Sequence, residues 1–319
     1  MAQKVVVFSQ INKEILEKLK KKYHVVEINP KLGDVNQQIL TEVQDADGMI
    51  GAGRILNKKN LSSATRLKVI SSVSVGYDNY DLEYLKQKNI YLCHTPHVLT
   101  ETTADLAFTL LMSAARKVVA LDQWTKAGEW KRTVSPSQFG QDIFAKKLGI
   151  IGLGNIGTAI ARRGFYGFNM QILYHSRKEK PEVANAFNAQ YCELDELLQQ
   201  SDFIIIAVDL NADSKALIRT EHFEKMQKHA VFINIARGSV VDEQALIQAL
   251  KTNQIYAAGL DVYEKEPLQE SELFGLDNVI TLPHIGSATA ETRYKMAELA
   301  YQNLIDGLEN RRPKYTVNI

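Results

Sequence analysis

Short runs of β-branched and other apolar residues alternate with amphipathic helical patterns along the whole chain, and this alternation narrows the fold more than any other feature. Strands buried on both faces read as near-continuous Val and Ile runs, and parallel neighbours need a crossover helix between them. In the first hundred residues the strand candidates are "KVVVF", "HVVEI", "GMIGA", "LKVISSVSV" and "IYLCHT". Between the first two, Ile11, Ile15, Leu16 and Leu19 recur at helical spacing. A second series follows, with "KKLGIIGLG", "MQILYHS", "DFIIIAV", "AVFINIA", "IYAAGLDV" and "NVITLP" separated by helical patterns. The stretch "SATAETRYKMAELAYQNLIDGLEN" predicts a C-terminal helix that returns to the first series. The expected class is α/β, with two doubly wound parallel-sheet domains, the second inserted into the first. At 319 residues the chain is long enough for two cores.

Between the two series lies "HVLTETTADLAFTLLMSAARKVVALDQWTKAGEW", with neither Gly nor Pro from Thr100 to Ala127. Its first turn offers Thr100 or Thr102 as a cap, with Glu101 nearby. This predicts one long helix over 100–127, apolar on more than one face. Such a helix has to bury itself, and is expected to join the domains and contribute to a dimer interface.

The charge balance excludes some partners. Lys plus Arg is 38 and Asp plus Glu is 37, a net charge of +1, which gives no electrostatic case for nucleic acid or an acidic membrane. The densest basic run, "KLKKKYH" from Lys18, reads as the solvated end of a helix. Two cysteines, Cys93 and Cys192, lie far apart, which fits a reducing compartment and excludes a cysteine-based zinc site. The run in "MAQKVVVFSQ" is too short for a signal peptide, and no apolar stretch has the length of a membrane span. A cytoplasmic protein is expected.

Gly152, Gly154 and Gly157 in "GLGNIG" fit the dinucleotide fingerprint: a tight turn, a close approach of backbone to pyrophosphate, and packing of helix on strand. The context fits as well, with an apolar strand before, a helix after and a second strand ending in "ILYHSRK". The pyrophosphate would sit on the amides of the helix N-terminus. Where an NAD-binding chain usually carries an acid for the ribose hydroxyls, this one has Ser176, Arg177 and Lys178. Positive charge there suits a 2′-phosphate, so NADPH is the expected cofactor, with NADH possible.

Three residues follow strands of the second series, where open α/β sheets bind ligands. Arg237 follows "VFINIA", Glu266 lies in "DVYEKEP", and His284 follows "VITLP". Together they offer a cation for a carboxylate, a proton donor and acceptor, and an acid to orient the imidazole.

Taken with "SVGYDN", "HTPHVLTETTADLA", "LGIIGLGNIG", "INIARGSVVDEQAL", "AAGLDVYEKEPL" and "LPHIGSAT", these segments resemble the D-isomer-specific 2-hydroxyacid dehydrogenases over nearly the whole chain. The likeness is greatest to the glyoxylate/hydroxypyruvate and 2-ketogluconate reductase branch, through "SVGYDN", "GFNMQILY" and "PHIGSAT". The resemblance implies a Rossmann cofactor domain over 100–286 inserted into a flavodoxin-like substrate-binding lid formed by 1–99 and 287–319. It implies a homodimer that reduces small 2-oxo acids, with Arg237, Glu266 and His284 as the catalytic set. Val75 and Gly76 would present amides to the substrate carboxylate, and Ser287 would border the substrate. Asn155 and Ile156 would contact the pyrophosphate, while Ile235, Asp261 and Gly286 would lie along the cofactor.

Two departures from the branch stand out. Asp209 in "VDLNAD" replaces a proline, on the adenosine side of the pocket. Gln138 in "SPSQFGQD" replaces a Trp that shapes the substrate pocket. No metal is expected: His94 and His97 lack a completing ligand set and read as loop residues, and His24, His175, His222 and His229 show no constellation. Two rival functions share the fold, a non-catalytic dinucleotide sensor and a formate- or phosphite-type dehydrogenase. The Glu266 and His284 pairing favours a proton relay over both.

Overall fold

A computed structural model describes residues 2–318. The chain divides into two compact units, Met1–Leu99 with Ala288–Ile319, and Thr100–Ser287. The first unit resumes at Ala288, so Ser287 belongs to the second.

In the first unit, β1 (Lys4–Val7), β2 (His24–Glu27), β3 (Gly48–Gly51), β4 (Val69–Ser72) and β5 (Tyr91–Cys93) form a parallel sheet in the order β2-β1-β3-β4-β5. This is the flavodoxin-like doubly wound order. Val6, Met49, Ile70 and Leu92 are fully buried, as expected for strands covered on both faces. The C-terminal helix Ala290–Leu308 packs on β3 and β4, where Ser71 Oγ donates to the Ala300 carbonyl at 2.7 Å. Glycine makes this approach possible. A methyl group on Gly307 would lie 2.6 Å from Cβ of Val69, and one on Gly48 would lie 2.8 Å from Cδ1 of Leu304.

The second unit holds β6 (Lys147–Ile151), β7 (Gln171–His175), β8 (Gln190–Tyr191), β9 (Phe203–Ile206), β10 (Val231–Asn234), β11 (Ala257–Leu260) and β12 (Val279–Thr281). All are parallel, in the order β8-β7-β6-β9-β10-β11-β12. The direction of winding reverses between β6 and β9, which makes the Rossmann crevice. The two-residue β8 has no apolar run to announce it; it is an edge strand paired with β7.

The long helix expected over 100–127 is two helices, Thr100–Ala115 and Val118–Lys126. Lys117 turns the chain with φ of 54°. The physical reason lies downstream: the Gln141 N–H takes the Ala115 carbonyl at 2.8 Å, and Lys117 Nζ donates to the Ser137 carbonyl at 2.9 Å. Only a glycine fits at 140, where a Cβ would lie 2.5 Å from the Ala115 oxygen. The first of the two helices buries Ala104, Ala107, Leu110, Leu111 and Ala115 within its own unit, whereas Val118–Lys126 buries none of its residues.

Gly307→Ala should destabilise the protein although alanine is the better helix former. The propensity gain is about 1 kcal/mol, while forcing a methyl into a closed interface costs about 1–3 kcal/mol. Gly167, inside the helix Asn155–Phe168, has nothing within 4 Å of an added Cβ, so Gly167→Ala should be neutral or stabilising. A lower urea midpoint for Gly307→Ala and an unchanged or higher one for Gly167→Ala are the expected result.

Candidate active site

The glycine loop follows β6 directly. Gly152 has φ of 102°, and a Cβ there would lie 2.5 Å from the Ala207 carbonyl oxygen at the end of β9. A Cβ on Gly157 would collide with the Gly152 oxygen, so these two glycines seal the turn against the sheet and the helix. Gly154 differs, with nothing within 4 Å of an added Cβ. It is the N-cap of the helix Asn155–Phe168 and makes no side-chain cap, as suits a helix N-terminus that receives an anionic group. These residues fit a dinucleotide pyrophosphate.

The basic corner lies after β7. Arg177 and Lys178 are exposed and have no side-chain hydrogen bond or ion pair among the described residues. Ser176 Oγ donates to the Lys178 carbonyl at 2.6 Å, so its proton is committed within the turn and its lone pairs remain. A third cation joins them that the sequence reading did not single out. Lys180 Nζ donates to the Leu153 carbonyl at 2.8 Å, inside the glycine loop, and the Lys180 N–H donates to the Tyr174 hydroxyl at 3.0 Å. The spacing of "SRKEKP" was the available signal. Asp209, after β9, is exposed, and its carbonyl accepts from Ser214 Oγ at 2.6 Å. Gln138 closes its own turn, with Oε1 accepting from the Ser135 N–H at 3.0 Å and from Ser135 Oγ at 2.7 Å.

Arg237, Glu266 and His284 follow β10, β11 and β12, three adjacent strands. His284 Nδ1 meets Glu266 Oε2 at 2.7 Å, and the other carboxylate oxygen accepts the Tyr263 N–H at 3.1 Å. Burial alone would raise the Glu266 carboxyl. The hydrogen bond and charge of His284, the Tyr263 amide and the charge of Arg237 outweigh it and hold the group below its ordinary value. Buried Asn234 shapes the Arg237 turn, donating to the Arg237 carbonyl at 3.1 Å and accepting the Ala236 N–H at 3.0 Å. Gly238 then touches the Tyr263–Glu264 backbone so closely that a Cβ would overlap the Tyr263 carbonyl. The turns that carry Arg237 and Glu266 are therefore locked together.

Asp261 acts within the fold itself. Its side chain, 1% exposed, accepts the Ile285 and Gly286 N–H groups at 2.7 Å each, and Thr103 Oγ1 donates to the Gly286 carbonyl at 3.0 Å. This clamp fixes the loop in which His284 takes a left-handed φ of 53°. Left-handed backbone costs a non-glycine residue about 1–2 kcal/mol, and a hydrogen bond to a charged group contributes about 1.5–3 kcal/mol, so two such bonds can hold the conformation. Burial pushes the Asp261 carboxyl above its ordinary value, against the lowering by the two amides. Ile235, at 8% exposure, sits just past β10.

In the first unit, Val75 and Gly76 lie in the loop that follows β4. The Val75 carbonyl meets Nδ1 of His94 at 2.9 Å. His94, a loop residue in the sequence reading, is thus tied to a candidate substrate loop.

The sequence profile of the D-isomer specific 2-hydroxyacid dehydrogenase NAD binding domain matches residues 108–286. Glyoxylate/hydroxypyruvate reductase B of Klebsiella pneumoniae is 44% identical over the whole chain and 99% of its own length. The Escherichia coli K12 protein of the same name is also 44% identical, over 100% of this chain and 98% of its own. Among solved structures, the TT0316 protein of Thermus thermophilus superposes with a TM-score of 0.88 at 35% identity, covering 99% of this chain and 100% of that one. The NADPH-dependent glyoxylate/hydroxypyruvate reductase of Sinorhizobium meliloti, solved with NADP and malonate, gives 0.87 at 30% identity, over 99% and 97%. The chain belongs to the D-isomer-specific 2-hydroxyacid dehydrogenase family, with glyoxylate/hydroxypyruvate reductases among its relatives.

Proposed function

We propose that this protein is an NADPH-preferring reductase of small 2-oxo acids, glyoxylate and hydroxypyruvate first and 2-ketogluconate within its range, yielding D-2-hydroxy acids. The observation that carries the reading is the 2.7 Å pair of His284 Nδ1 and Glu266 Oε2, at strand ends next to that of Arg237. A ketone becoming an alkoxide needs a proton, and an imidazole oriented by a carboxylate is placed to give one. The names of the relatives support the substrate class. When bound, the reduced nicotinamide supplies the hydride.

In this reading His284 protonates the developing oxygen, Glu266 holds the ring and its charge, and Arg237 fixes the substrate carboxylate. The amides of Val75 and Gly76, in the lid formed by the first unit, share that carboxylate, and Ser287 borders the substrate. Gly152, Gly154, Asn155, Ile156 and Gly157 cradle the pyrophosphate. Ile235 and Gly286 border the nicotinamide side, and Asp261 keeps its loop in place. Formate oxidation is a bare hydride transfer that gives a general acid at this place nothing to do, and a mere sensor would not need one; phosphite oxidation would use the pair as a base on water, and the names of the relatives favour the ketone. Dimerisation is part of the proposal: Val118, Trp130, Phe139 and Phe144 in the second unit are 50%, 63%, 57% and 66% exposed, a cost in water that a second copy would relieve. Buried, free Cys93 and Cys192 suit a reducing cytoplasm.

His284→Ala should lower glyoxylate reduction by about 10²–10⁴-fold while leaving NADPH affinity nearly intact, as measured by steady-state kinetics and fluorescence titration. In the wild type, the pH profile of reduction should carry the mark of the Glu266 carboxyl. The acid side follows from Glu266, whose depressed carboxyl keeps its charge as pH falls through the ordinary carboxylate range and loses it only below. Activity should therefore hold to lower pH than an unpaired glutamate would allow. Turnover in His284→Ala close to wild type would remove the imidazole from the mechanism.

Arg177→Ala should weaken NADPH by about one order of magnitude and NADH little, since a charge-assisted contact contributes about 1.5–3 kcal/mol and exposure favours the lower end. Ser176→Asp combined with Arg177→Ala should shift preference further, because the acid repels a 2′-phosphate and accepts from ribose hydroxyls. Lys180→Met should weaken both cofactors together, since its ammonium sits at the glycine loop. The readout is kcat/KM with each cofactor. An NADPH to NADH ratio unchanged in the first two variants would make the corner ordinary solvated surface.

A further inference from the structure

The loop after β4 is tied down at several points. The Val73 N–H donates to the Gly51 carbonyl at 2.9 Å, the Thr95 N–H to the Ser74 carbonyl at 2.9 Å, and the Leu56 N–H to the Asn79 carbonyl at 2.9 Å. These fix where the loop runs. They do not set the rotation of the peptide between Val75 and Gly76, which has its own partner, the His94 ring, with Nδ1 at 2.9 Å from the Val75 oxygen.

A carbonyl only accepts, so His94 Nδ1 carries the proton in this bond. The peptide is planar and trans, which puts the Gly76 N–H antiparallel to the Val75 C=O. A ring that holds the carbonyl on one side therefore aims the amide to the other. The ring itself is held. The His94 N–H donates to the Tyr315 carbonyl at 3.1 Å, its carbonyl accepts from Nδ2 of Asn303 at 3.0 Å, and Tyr77 packs edge-on at 5.7 Å between ring centres. Asn303 is 1% exposed within the helix Ala290–Leu308, so that helix anchors the backbone from which the imidazole projects.

We infer that His94 is a positioning residue for substrate: its Nδ1–H holds the Val75 carbonyl back and keeps the Gly76 amide turned outward to receive the 2-oxo acid carboxylate. This rests on the proposed role of Val75 and Gly76. His94 touches neither substrate nor cofactor in this account, and its action is entirely on the orientation of one peptide.

The test uses the full-length enzyme and steady-state kinetics on glyoxylate. His94→Leu should raise the KM for glyoxylate by about tenfold or more, with kcat within about threefold and the KM for NADPH unchanged, the pattern of lost binding rather than lost chemistry. His94→Asn should restore KM to within about threefold, because an asparagine amide nitrogen falls near the imidazole Nδ1 and can donate as it does. His94→Gln, a similar polar side chain whose amide falls elsewhere, should not. If His94→Leu does not fold, as judged by circular dichroism, the Asn and Gln pair carries the same comparison. Equal glyoxylate KM values in those two variants would overturn the inference. Gly76→Pro, which deletes the N–H, tests the underlying reading separately and should raise the KM for glyoxylate. An unchanged KM in Gly76→Pro would sink the carboxylate role of the loop, and a raised one alongside a normal KM in His94→Leu would sink only the role of His94.

Discussion

Parallel pairing is the constraint on which the rest depends. Every pairing among the named strands, in both sheets, is parallel. Each connection must then cross back over a face of its sheet, so all carboxyl ends fall on one edge, and the loops there are released from the sheet's hydrogen-bond ladder. In the second unit that edge carries, from β7 to β12, the basic corner, the glycine loop, Arg237, Glu266 and His284. The chemistry is collected by topology: residues far apart in the chain become neighbours because their strands are.

An edge of loops would be too loose for proton transfer unless something replaced the missing ladder. Three buried polar or backbone contacts do so here. Asp261 binds the two amides after His284, Asn234 binds both sides of the Arg237 turn, and Gly238 lets that turn rest on the backbone leading to Glu266. Asp261 costs most, since a buried carboxylate loses its hydration, and two amide bonds are what keep it tolerable. The expense falls at the residue that holds a left-handed histidine in place. That is where slack would separate Nδ1 of His284 from Glu266.

The sequence made the strands legible, because a β-branched run between turn signals is a local pattern. The glycine loop and the strand-end positions of Arg237, Glu266 and His284 followed from it. What the sequence hid is non-local. The break at Lys117 depends on Gln141 taking the Ala115 carbonyl and on Gly140 admitting the return of the chain, so nothing within 100–127 announces it. The partners of Asp261 lie beyond β12, and the role of its carboxylate could not be separated from one toward a cofactor without the loop geometry. Nothing in "HTPHV" sets His94 apart from other loop histidines, because its partner is on the loop after the neighbouring strand. Two-residue β8 exists through its pairing to β7 and has no pattern of its own.

The two candidate anion sites solve one problem in the same way. An amide can bind an anion only if its N–H points outward, and in a trans peptide that requires the preceding carbonyl to point inward, where an unpaired oxygen would be costly to bury. In the first unit His94 receives the Val75 carbonyl, which turns out the Gly76 N–H. In the second, Lys180 receives the Leu153 carbonyl, which turns out the N–H of Gly154. The choice of donor matches the ligand proposed for each. A pyrophosphate carries more charge than a carboxylate, and a lysine adds a full positive charge behind the amide it orients. An imidazole with its proton on Nδ1 orients the peptide by a single directed hydrogen bond, which is what a carboxylate loop needs.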